Sequence, residues 1–104
     1  AEATASQRAI AERLADFDSA LEVEVRQRWL DVESGRAAVA AAVDAVNAAA
    51  EARRVVGERL ATGVATSTDV LDAQVALLQA ELDRTQALAN VKLAEARLNR
   101  AVGR

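Results

Sequence analysis

The stretch "ERLATGVATSTDVLDAQ", residues 58–74, decides the fold, because a long helical pattern stops there and starts again. Gly63 can take the positive φ that closes a helix, and glycine does so without the penalty a Cβ imposes. Thr66 is a natural N-cap. Asp69 three residues later sets up a capping box with Asp in place of the usual Glu. Those features predict a turn at 62–66 between two helices, about 4–61 and 67–102.

Working outward, Ile10, Leu14, Phe17, Leu21, Val25, Trp29 and Val32 recur every three or four residues, and Val39, Val43, Val46 and Ala50 carry the stripe onward. This is heptad-like spacing, with consecutive fours between Phe17 and Trp29 acting as a stutter. Glu22 with Arg26 and Glu24 with Arg28 stand at the favourable i,i+4 spacing for ion pairs. Within "ESGRA", residues 33–37, Gly35 costs a helix about 1 kcal/mol relative to Ala. With no proline nearby it reads as an interior residue; a break there would instead give a three-helix bundle. After the turn, Leu71, Val75, Leu78 and Leu82 form one stripe, and Leu88, Val91, Glu95, Leu98 and Val102 form a rotated one. The fold class is all-α, a long antiparallel coiled-coil hairpin with unequal arms, in one domain over 1–104. At 1.5 Å per residue the arms measure about 85 and 52 Å, so the longer one overhangs and its stripe calls for self-association or attachment to a larger body.

Composition agrees. Roughly a quarter of the 104 residues are Ala, Pro is absent, and the aromatics are Phe17 and Trp29 alone. Trp29 sits on the apolar stripe and reads as packing. Arg53, Arg54 and Arg59 read as a solvated face, with Arg59 also near the negative end of the first helix. No His and no Cys remove most nucleophile–base pairs and most transition-metal sites, and no glycine-rich phosphate loop is present. The expectation is a non-enzymatic protein without metal or cofactor. The formal charge of −3, with no basic stripe, argues against a nucleic-acid partner. Neither a bilayer-spanning apolar run nor barrel-type strands are visible. The opening "AEATASQRAI" is unlike a signal peptide and reads as a helix already under way, as in a piece of a longer protein.

Residues 53–103 carry a more specific pattern: a glycine and hydroxyl residues, then "DVLDAQ", "LLQAELDRTQA" and a closing "LNRAVG". This string resembles the second helical hairpin of the TolC-like outer-membrane efflux family, and "VEVRQRWLDVESGRAAV" is similar to the long helix before that turn. The resemblance implies a periplasmic hairpin within a homotrimeric duct whose absent β-barrel supplies the only membrane contact. Its turn would meet a periplasmic adaptor and, through that, an inner-membrane pump. It makes Asp69 and Asp72 the candidate pore-lining or gate residues, and Gly63, Val64, Ala65 and Thr66 the candidate docking tip. Local physics offers Asp69 a second role as an acid beside the helix dipole. Family members that latch the mouth shut commonly have an aromatic hydroxyl residue three before this glycine and an Arg two after it. Leu60 and Ala65 stand there in this chain and can form neither bond. Two alternatives are the hairpin of a periplasmic adaptor, which resembles this chain in its two long helices, and a purely structural rod.

Overall fold

The computed structural model describes residues 2–103. Helix α1 runs Glu2–Ala61 and helix α2 runs Ser67–Val102, packed antiparallel into a rod 92 × 17 × 15 Å. The predicted hairpin, its turn and its unequal arms are all present. Gly35 lies inside an unbroken α1, so the three-helix alternative does not form. Among the described residues no helix is long and apolar enough to cross a membrane.

The seam between the helices is not the one the large side chains suggest. In α2 the seam runs through Val70, Ala73, Leu77, Ala80, Arg84, Ala87, Val91, Ala94, Leu98 and Ala101, with Glu81 and Glu95 partly covered beside it. The seam positions alternate steps of three and four without a stutter, as a coiled-coil seam requires. Every second position is Ala. In α1 the matching series is Val25, Arg28, Val32, Gly35, Val39, Ala42, Val46, Ala49, Arg53 and Val56. Small residues at alternating positions let the two backbones approach closely while Val and Leu fill the gaps between them.

Gly35 shows how tight that approach is. A Cβ there would stand 3.1 Å from Val91 Cγ2 and 3.4 Å from the Val91 Cα. The residue that looked like a tolerated weakness in α1 is the point where α2 needs room. The lost helix propensity, about 1 kcal/mol, is offset by the packing of Val91 against bare backbone.

Among the described residues only Val32, Ala80 and Val91 are buried, as a two-helix rod has few places to hide a side chain. Leu71, Val75, Leu78 and Leu82, expected to form a packing stripe, point away from α1 and are 55–62% exposed. Trp29 is half exposed rather than packed within the hairpin. Arg53 also departs from expectation. It is partly covered, and its Nε donates to Gln74 Oε1 across the hairpin at 2.9 Å. Arg28 pairs with Asp31 at 3.3 Å, and neither predicted Glu22–Arg26 nor Glu24–Arg28 pair forms among the described residues.

Val91 against Gly35 and Gln74 against Arg53 fix the register. Followed to its end, α2 stops beside Leu21, Glu24 and Arg28, which share a groove with Arg97, Arg100 and Ala101. From Glu2 to about Ala20, α1 has no neighbour, and Ile10, Leu14 and Phe17 lie exposed on it.

Candidate functional site

The tip is built by backbone hydrogen bonds that the sequence dictates locally. Gly63 has φ +80°, the left-handed conformation that closes α1. Its N–H donates to the Leu60 carbonyl at 3.0 Å, and the Val64 N–H donates to the Arg59 carbonyl at 2.8 Å. This pair of bonds is the Schellman arrangement, which satisfies carbonyls otherwise orphaned at a helix end. Ala65 N–H and the Thr62 hydroxyl also donate to the Arg59 carbonyl, at 3.1 Å each.

Thr66, in extended conformation, then opens α2. Its Oγ1 accepts from the Asp69 N–H at 3.1 Å, while Asp69 Oδ2 accepts from the Thr66 N–H at 2.9 Å. Both halves of the predicted capping box are made. The turn is therefore closed by main-chain bonds on the α1 side and by the Thr66–Asp69 box on the α2 side, while the Val64 side chain takes no part in either. Val64 is 75% exposed, Thr66 is exposed and Ala65 is half-buried. The four candidate docking residues lie together at the end of the rod.

Asp69 and Asp72 differ in employment. The Asp69 carboxylate is taken up by the cap. Asp72, one turn further along α2, is exposed and forms no hydrogen bond or ion pair among the described residues. Sequence reading grouped the two by their spacing; the structure gives one a local task and leaves the other free.

Below them lies a strip that sequence reading missed. Asp69, Asp72, Gln79, Asp83, Gln86 and Asn90 follow one another down α2 at three- and four-residue steps, joined at Ala76. Gln79 Nε2 donates to Asp83 Oδ1 at 3.0 Å, and Gln86 Nε2 donates to Asn90 Oδ1 at 3.2 Å. Asp83, Gln86 and Asn90 also border an open groove of about 580 Å³ with Asp31, Ser34 and Gly35 of α1. The signal is legible as polar residues at helical spacing, but the larger apolar residues beside it dominate the pattern. One face of α2 is thus a polar track running from the tip, while the leucine ridge occupies another.

On the far side of α1, Arg54 pairs with Glu51 and Glu58 at 2.6 Å each. The hydrogen bond from Arg54, and then its charge, hold the Glu51 carboxyl below the ordinary carboxylate range; the same partners raise Arg54. Both residues are in open solvent, so this cluster adds little stability.

These features define a class: a long coiled-coil hairpin whose tip is closed by a Schellman turn and a capping box. No protein-family model matches the chain, and no curated protein or solved structure matches it significantly.

Proposed function

We propose that this chain is the periplasmic helical hairpin of a TolC-like export duct, contributing channel wall and a docking tip for a periplasmic adaptor. In the assembled homotrimer, an outer-membrane β-barrel elsewhere in the protein completes the passage. The observation that carries the reading is the tip: Gly63, an exposed Val64 and a half-buried Ala65 stand on a turn whose backbone is already satisfied, three residues before "DVLDAQ". The Val64 side chain takes no part in closing the turn, which leaves it suited to receive another helical tip. The polar track through Asp72 gives the reading a second support. Repeated around a ring, a free carboxylate would favour cations and resist anions at the mouth. Leu60 and Ala65 leave that mouth without the family's usual latch.

Docking is tested by calorimetric titration of this hairpin against adaptor hairpins. Val64→Arg keeps every backbone bond of the turn and should abolish the heat of binding. Binding unchanged by Val64→Arg would refute the tip assignment. For the mouth, single-channel recording of the duct should show reduced cation preference with Asp72→Asn, and unaltered selectivity would remove Asp72 from the pore.

A further inference from the structure

We infer that two copies of this hairpin pair back to back, with the outward faces of their α2 helices in contact and the two α2 helices antiparallel. The inference concerns the hairpin by itself and does not rest on the export-duct reading. In a duct, where all tips point one way, other helices of the assembly would take this face.

α1 runs beside the whole of α2, and the side of α2 away from it carries a second heptad-like line. Leu71, Val75, Leu78 and Leu82 form its first half, each more than half exposed. Thr85, Ala89, Lys92 and Ala96 continue it with the same alternation of three and four residues, all of them exposed. The outward side of α1 has no such line; Glu33, Asp44, Asn47, Glu51, Arg54 and Glu58 stand there. One face of the hairpin is thus patterned as a helix seam and bears no helix among the described residues.

The line is large at one end and small at the other, and this asymmetry selects the partner. A second α2 laid antiparallel brings each large side chain to a small position or a flexible stem. Leu71 meets the partner's Ala96, Val75 the stem of the partner's Lys92, Leu78 the partner's Ala89 and Leu82 the partner's Thr85. Both copies contribute equally, as in an isologous twofold contact. Large against small lets the helix axes approach, as the alanines do in the seam within the hairpin. A parallel pair would instead set Lys92 against the partner's Lys92 on the contact line itself, which is repulsive.

Charge runs the same way along α2. Asp69, Asp72, Glu81 and Asp83 occupy its first half; Arg84, Lys92, Arg97 and Arg100 occupy its second, with Glu95 the one acid among them. The helix dipole favours acids at the start and bases at the end, but its effect is confined to the first and last turns. Glu81, Asp83, Lys92 and Arg97 lie outside those turns. Glu95 is engaged across the hairpin by Arg36 at 3.5 Å, and Lys92 approaches it at 3.8 Å. Asp72 and Arg97 form no ion pair within the chain among the described residues.

The antiparallel register puts these groups to use. Asp72 comes level with the gap between the partner's Lys92 and the partner's Arg97. The Lys92 stem lies on the contact line while its ammonium reaches out to the carboxylate at the flank. On the same flank Gln79 comes beside the partner's Gln86, and each still has a free carboxamide oxygen to accept a bond. Asp83 lies further round, beside the groove shared with α1, and clears its own copy. The contact is about 38 Å long. It holds no aromatic anchor, so the pair is reversible, with dissociation in the micromolar range.

Sedimentation equilibrium at increasing concentration should show a monomer passing to a dimer and no further. Leu82→Glu should leave a monomer throughout; Leu82 faces away from α1, and far-UV circular dichroism will report that the hairpin persists. Lys92→Glu should weaken the dimer roughly three- to tenfold, and Lys92→Glu with Asp72→Lys should restore it. These two positions are about 30 Å apart along one helix, so rescue requires the antiparallel partner. Spin labels at Val64→Cys give the orientation: about 60 Å apart in the antiparallel pair, against about 20 Å in a parallel one. A monomer at all concentrations overturns the inference. So does a dimer that survives Leu82→Glu, a charge swap without rescue, or Val64 labels close together. Each of these results leaves adaptor docking at the tip to its own test.

Discussion

The two faces of α2 are built on opposite principles. Toward α1 it offers Ala73, Ala80, Ala87, Ala94 and Ala101 between larger residues; away from α1 it offers Leu71, Val75, Leu78 and Leu82. Hydrophobic burial alone would place the leucines inside, because each buries more apolar area than an alanine. The hairpin does the reverse. Close backbone approach through small residues holds the two helices together, and the larger apolar surface stays available for contacts beyond the hairpin. An exposed apolar ridge of this kind is the sort of surface that interaction sites commonly use.

The comparison can be broken most directly at Gly35. Gly35→Leu puts a side chain where even a Cβ meets Val91 at 3.1 Å. Overpacking of this kind typically costs about 1–3 kcal/mol, against which improved helix propensity returns only about 1. Urea unfolding should therefore show a clear loss of stability, or α2 detached from α1. The matched outward change, Leu78→Ala, should stay within about 0.5 kcal/mol by the same measurement. If Leu78→Ala proved the more damaging, the assignment of the two faces would be wrong.

At the tip the same contrast appears between two carboxylates. Thr66→Ala removes the acceptor for the Asp69 N–H and should cost about 1 kcal/mol of hairpin stability. Asp69→Ala removes the other half of the box and should cost a similar or smaller amount, whereas Asp72→Ala should leave stability unchanged. Thermal unfolding of the three variants orders them. A loss at Asp72 equal to that at Asp69 would show a local role that the structure does not contain.

How much of this was legible in the sequence follows from range. The turn and both helix ends were readable because Gly63, Thr66 and Asp69 act on their own backbone within a few residues. The seam was not, because tracing the largest apolar residues finds the ridge Leu71–Leu82 first, and an alanine seam is hard to see in a chain so rich in alanine. Gly35 was rightly read as interior to α1, but its packing role was missed for a related reason. Its purpose depends on Val91, which no local pattern links to it. The Arg53–Gln74 bond belongs to the same category: side chains 21 residues apart meet only because the hairpin closes. Of the candidate site, Asp69 and Asp72 were found together by spacing, but their different employment emerged only from hydrogen bonding.

The smallest expected effect concerns the solvent side of α1, and it sharpens the distinction between contacts that hold the hairpin and contacts that decorate it. Glu51 is held below the ordinary carboxylate range by the hydrogen bond and charge of Arg54. A carboxyl whose folded value is depressed contributes stability above its unfolded value, and the contribution fades as pH falls through the folded one. The direction is therefore acid destabilisation. Its size is small, because both partners stand in water and are screened. Carboxyl NMR should find Glu51 titrating at lower pH than in Arg54→Gln, where it returns toward the ordinary range. The unfolding midpoint at neutral pH should hardly move between the two proteins, and still less at high salt. A large drop in stability in Arg54→Gln would mean that the surface pairs, and not the alanine seam, carry the hairpin.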